Sequence, residues 1–500
     1  MSPRAYKCSL GAIAVVLMVG ASVLERNLNH ERDVLGLTRY TELTGAPPVL
    51  AMTTVALGGF RGLISNALWI RANDLQDDGK YFEMVQLADW ITKLEPHFTQ
   101  VWLVQAWNMA YNISVKFKDP PDRWRWVQRG IELLRDEGLQ YNPDDVLIHR
   151  ELAWFYQHKM GANLDDAHLY YKQMWANEMS AVLGTNRVDW DALIHPKTPE
   201  EIERTTTLRA RYKLDPVFMK MVNETNGPLE WRLPEAHAIY WAQQGLEAAK
   251  RNERKINPDD LITLRRVIYQ SMQLSFQRGR LIANQADRNF EFGPNLEIIG
   301  KVSAAYEQAM KDDAKNRDHI QTAHRNFLRD AVWFLYVYNR MADAQSWYKY
   351  LAEQYPNKTL IDFDANSYPR NVSLDTYALG RIQEEVGQTS PSNIRAILEG
   401  LDETAVASRG MGEYDKAVGY EHLERKIWDT YNSKILGTAT NRVPMATLPE
   451  IRQSVLDRDL DHLWSPAFSD RVRAEYNLPP RSIPASTNSP AIPIEPNKSP

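Results

Sequence analysis

From residue 63 almost to residue 476, apolar side chains recur at the three-to-four-residue interval of an amphipathic helix. The pattern predicts an all-α protein built of helix pairs. It is clearest over 328–356, where two helix-length apolar runs flank a polar break at Asn339-Arg340. In the second run Ala344 is followed four residues later by Tyr348, and Pro356 closes the run. A small residue lets two helices approach, an aromatic fills the gap to the next pair, and proline ends the second helix. The same plan starts earlier in the chain. The run 68–77 leads into Gly79-Lys80-Tyr81, a tight turn with an aromatic, and Met84, Ala88, Ile91 and Pro96 follow at second-helix spacing. Trp102 opens the next unit, WLVQAWNMAYN, about 34 residues after Leu68.

That unit is interrupted by the turn-rich KFKDPP at 116–121, resumes at Arg123 and closes on Pro143. A third begins with His149-x2-Leu152-Ala153-x2-Tyr156, and its partner helix carries Ala167-x3-Tyr171. Residues 184–233 break the pattern with Pro, Gly and Thr clusters and read as an insertion packed on the array between units 61–183 and 234–476. Helices return at Pro234 and Asp259, and an irregular piece precedes the 328–356 unit. Near the end, Gly412-x-Tyr414-x2-Ala417 again looks like a turn entering a second helix. Residues 477–500 are rich in Pro and Ser, poor in large apolar side chains, and expected to be disordered.

At the front, Arg4 and Lys7 precede a charge-free run over 8–24, the plan of a signal anchor or a secretory signal in residues 1–25. Positive charge before the run keeps the N-terminus cytoplasmic. The expectation is a single-pass protein of a bacterial inner membrane with its bulk in the periplasm. The alternative is a leader cut near Val19-Gly20-Ala21, which leaves a soluble periplasmic protein. Residues 26–60 read as a linker, with the apolar patch 47–57 too short to span and taken as a first packing helix.

Composition narrows the function. The net charge of −5, with no long basic run, gives a nucleic-acid role no support. The one cysteine, Cys8, lies in the leader, so the folded part has neither a disulfide nor a Cys-ligated zinc. The sequence holds no H-E-x-x-H, G-x-S-x-G, P-loop or G-x-G-x-x-G motif. His149-x-Glu151 lacks a third ligand, so no metal and no cofactor are expected. Asp189, Asp191 and His195 cluster in the 184–233 segment and are the one place where an enzyme site could lie.

The A-x3-[FY]…P pattern and its period resemble the tetratricopeptide (TPR) repeat, a helix–turn–helix unit that stacks into an α-solenoid. Around RGLISNALWIR at 61–71, WLVQAWNMAYN at 102–112, residues 123–143 and PLEWRLPEAH at 228–237, the chain looks like a group of membrane-anchored bacterial TPR proteins without assigned activity. The likeness spans roughly residues 60–475. It implies a fold and an envelope location. For TPR proteins at large it also implies a scaffold whose inner surface holds peptides or partner helices.

In that scheme Trp102, His149 and Leu328 share one repeat position, and the inward-facing positions can be read off. Trp107, Trp154 and Trp333 are equivalent; Arg150 and Arg329 lie one turn before; Tyr336 lies almost one turn after; Tyr111 and His158 adjoin. An Arg one turn from a Trp on a concave face could grip a carboxylate while the indole packs an apolar side chain. The competing reading puts these tryptophans in the interior, with the arginines stacked over them. The function expected is a non-catalytic envelope scaffold that binds protein or peptide segments, with a secretion or pilus-assembly subunit as a special case. The rivals are a groove for glycan or peptidoglycan, and a wall-processing enzyme.

Overall fold

The computed structural model describes residues 61–251, 256–284, 289–362, 364–386, 391–436 and 445–481, with a few isolated positions between 20 and 31. Most of the leader, the 47–57 patch and most of the tail lie outside the described residues. The described chain is all-helical apart from one hairpin. In chain order it runs α1 (Arg61–Asp77), α2 (Tyr81–Leu94), α3 (Thr99–Trp107), α4 (Pro120–Glu132), α5 (Val146–Trp154), α6 (His168–Leu183), α7 (Trp190–Ile194), α8 (Pro199–Arg211), α9 (Pro216–Asn226), α10 (Pro234–Arg251) and α11 (Pro258–Arg278). The hairpin β1 (Arg280–Asn284) and β2 (Asn289–Gly293) follows. After it come α12 (Ile299–Asp312), α13 (Arg317–Val337), α14 (Met341–Gln354), α15 (Leu374–Val386), α16 (Pro391–Gly410), α17 (Tyr414–Leu436), α18 (Leu448–His462) and α19 (Pro466–Glu475).

Three helix pairs, α1–α2, α13–α14 and α16–α17, are joined by the same turn. Gly79, Asn339 and Gly412 take positive φ of 71°, 56° and 80°. In each turn the next residue's N–H reaches back to a carbonyl of the preceding helix at 2.8 Å: Lys80 to Leu75, Arg340 to Leu335 and Glu413 to Ser408. This is a left-handed helix cap that satisfies a terminal carbonyl and turns the chain back on itself. Five residues after each cap stands a buried side chain, Met84, Ala344 or Ala417. Seven further on come Ile91, Leu351 and Glu424. The first two are core residues, and the third is a buried carboxyl in an apolar position.

Three helices do not end where the α-helix ends. α3, α4 and α5 run on as π-helical turns, Asn108–Ile113, Leu133–Gly138 and Phe155–Gly161. Such turns insert a residue into the ladder and re-aim the side chains that follow. The first of them lies against α4. A Cβ on Gly130 of α4 would sit 2.9 Å from the Ala106 carbonyl and 3.3 Å from the Ala110 methyl, so only glycine permits that approach.

The segment 184–233, expected to be irregular, holds the helices α7, α8 and α9. Two of the four prolines that broke the pattern are helix starts: Pro199 and Pro216 follow the caps Thr198 and Asp215, where a missing N–H costs nothing. Beyond them the chain returns so that α10 packs on α5. The piece after α11, also expected to be irregular, contains the hairpin, registered Arg280↔Gly293 to Asn284↔Asn289. Arg280 ties it to Glu413 in the α16–α17 turn. One apolar core runs from Trp102 to Ile451, and the last two helices close a separate cluster around Val406, Leu456 and Phe468. Among the described residues no helix is long and apolar enough to cross a membrane.

Candidate partner-binding groove

The expected inward-facing residues divide into two sets. Trp107 and Trp154 each stand at the junction of an α-helix with its π turn, and each stacks on an aromatic ring four residues later. The Trp107 and Tyr111 rings lie 4.1 Å apart at 17°, and the Trp154 and His158 rings 4.4 Å apart at 13°. The two pairs are joined where the Tyr111 hydroxyl meets His158 Nδ1 at 3.1 Å. Four rings from two successive units therefore form one ladder. Phe155 braces it edge-on against Tyr111, and Lys159 lies over the Tyr111 ring. Asp165 fixes that lysine at 2.6 Å and takes a second ion pair from Arg123 at 2.8 Å. Burial, with the Glu151 charge adding to it, pushes the Tyr111 phenol far above its usual range. Burial and then the charge of Lys159 lower the His158 pKa. Both groups are neutral hydrogen-bonding partners at physiological pH.

The second set is inside the protein. α13 continues without a π turn, Trp333 is buried, and Tyr336 is fully enclosed with its hydroxyl on Asp375 at 2.9 Å. Arg329 is 4% exposed and pairs with Asp362 at 3.2 Å. Arg150 also has its carboxylate within the chain, Asp260 of α11 at 2.5 Å. Both arginines are thus paired within the chain. The interior reading thus describes Arg329, Trp333 and Tyr336, whereas Trp107, with 40% of its surface exposed, opens to solvent.

Beside Trp107 lies a recess of about 260 Å³, lined by Leu103, Val104, Asn108, Asn112, Met84 and Glu151 among others. Glu151 was not among the expected groove residues. Its Oε1 is enclosed and accepts no hydrogen bond, and no ion pair of this carboxyl is found among the described residues. Burial raises its pKa to about 7 against a smaller opposing effect of Arg150. No sequence signal separates it from the other helix glutamates, because the lack of a partner depends on which residues the fold brings near.

A larger recess, about 380 Å³, forms where the hairpin and two of the repeated turns converge, and both its arginines are paired, Arg280 with Glu413 and Arg340 with Asp343. Asp189, Asp191 and His195 are exposed, and Asp189 caps α7 by accepting from the Asp191 and Ala192 N–H groups. Ser303, His324 and Tyr355 form a hydrogen-bonded chain of 3.0 and 2.8 Å. All three are buried, and burial lowers the His324 pKa to about 4, so the chain is a core network. Among the described residues no group of three or more His, Cys, Asp or Glu is placed to hold a metal ion.

Compared with family models, curated proteins and solved structures, the chain finds no match. Its class therefore rests on its own geometry: an all-helical, repeat-like protein of packed helix pairs, with an aromatic ladder and a carboxyl-lined recess on its N-terminal part.

Proposed function

We propose that the protein is a non-catalytic scaffold of the TPR-solenoid type, held in the bacterial envelope by its N-terminal segment, that docks an extended or helical segment of a protein partner on the Trp107–Tyr111–His158–Trp154 ladder. The observation that carries this reading is the repetition of the stacked pair in two adjacent units, open to solvent at Trp107. Rigid aromatic rings on a preformed surface supply contact area at little entropic cost, which suits docking. The thrice-repeated helix cap supports a stack of like units.

A photo-crosslinking amino acid at Asn112, beside the ladder, should capture a defined partner in intact cells, whereas one at the exposed Ile202 of α8 should not. The purified partner should then bind the full chain at least tenfold more weakly after Trp107→Ala with Trp154→Ala. Equal capture at both positions, or unchanged affinity, would refute docking at the ladder. The envelope assignment rests on the charged-then-apolar order of residues 1–25, and cleavage by added protease in spheroplasts but not in intact cells tests it. A glycan groove is the second reading, favoured by the amides of Asn108 and Asn112 beside an exposed indole. Binding of wall fragments that disappears in Trp107→Ala would select it.

A further inference from the structure

The groove was expected to present arginine to an acidic partner, yet its chemistry has the opposite sign. Arg150 and Arg329 are both paired within the chain, to Asp260 and Asp362. The charge left at the recess belongs to Glu151, whose Oε1 is enclosed without a partner. Among the described residues Asn112 uses its amide N–H on Asn108 Oδ1, and its own carbonyl oxygen accepts nothing. Trp107 lines the same recess with an exposed ring. A carboxylate, a free amide oxygen and an indole around about 260 Å³ are the three kinds of group that receive an organic cation.

We infer that this recess takes the guanidinium or ammonium group of a basic side chain from the docked partner, with Glu151 as its counter-ion. The inference rests on the docking proposed above and names the partner's chemistry. An unpaired carboxyl in a partly closed apolar recess is unfavourable for the free protein, and an arriving cation relieves it. The ring of Trp107 contributes attraction to the cation's face, and Asn112 one further acceptor. A carboxylate-bearing partner would meet repulsion at the same place, so the recess also sets the direction of selectivity.

The test uses the purified full chain and an array of peptides with central Arg or Lys, each matched by citrulline or norleucine at that position. Arg and Lys peptides should bind at least tenfold tighter than their neutral matches. Glu151→Gln should abolish that discrimination while leaving the weaker binding of neutral peptides in place. Loss of all peptide binding in Trp107→Ala with Trp154→Ala, helical circular dichroism being unchanged, confirms that the ladder is the platform. Ladder-dependent binding with equal affinity for Arg and citrulline peptides, or a preference for Glu peptides, overturns this inference and leaves docking intact. Peptide binding that ignores the ladder variants overturns the docking proposal itself.

Discussion

Replacing Glu151 with glutamine should stabilise the protein, and only above a definite pH. In the fold the carboxyl titrates near 7, against 4.5 for the free side chain, because burial disfavours its charged form. The folded state therefore holds the proton more tightly than the unfolded state. Below pH 4.5 both states are protonated and the wild type carries no penalty. As pH rises from 4.5 through 7, the fold loses the advantage of holding the proton, and above 7 the full penalty is present. A shift of this size corresponds to roughly 3 kcal/mol, an upper bound because the remaining exposure of Glu151 lets solvent screen it. Glutamine keeps the shape and removes the ionisation. Thermal unfolding of wild type and Glu151→Gln, followed by circular dichroism, should coincide at pH 4. At pH 8.5 the variant should melt several degrees higher, since about 1 kcal/mol moves the melting point of a large domain by roughly 2–4 °C. An equal difference at both pH values, or a variant less stable at pH 8.5, would refute the reasoning. A residue that weakens the fold and could be improved by one atom exchange is of the kind retained for binding.

Other expectations are independent of Glu151. Gly130→Ala forces a methyl to within 2.9 Å of the Ala106 carbonyl and should cost about 1–3 kcal/mol in denaturant unfolding. Glu424 occupies the place that Ile91 and Leu351 fill in the equivalent pairs, and burial, reinforced by Asp402, raises its pKa to about 8. Glu424→Leu should therefore raise stability at neutral pH by roughly 1–3 kcal/mol, whereas Arg452→Leu alone, which strips Asp402 of its 2.7 Å partner, should lower it. Gly412→Ala places a side chain at φ 80° and should destabilise by about 1 kcal/mol, while Asn339→Gly at the equivalent turn should be neutral or slightly stabilising.

Much of the helical order was legible because side-chain period survives in sequence. The turn at Gly79, the break at Asn339 and the Gly412 turn all fall where polar residues interrupt the apolar spacing. Proline was misleading over 184–233, since the same residue that ends a helix also begins one, and only the capping Thr198 and Asp215 distinguish the two. The hairpin escaped because five residues per strand are too few for alternation to stand out, although NFEFG does alternate. The π turns leave no trace in apolar spacing, so the ladder they create could be read only as a coincidence of tryptophans at one repeat position. Whether Arg150 was free depended on Asp260, a residue far along the chain that no local pattern identifies.

The packing of α10 on α5, with α6 and the excursion of α7, α8 and α9 between them in sequence, bears on how the chain withstands cleavage. Thr185, Asn186 and Arg187 are exposed at the start of that excursion, and the contacts that join the two parts lie elsewhere, along α5, α10 and α11. A protease that nicks the backbone at Arg187 would leave two fragments clasped through their shared interior. The nicked protein would migrate as one species on a native gel and separate only in detergent.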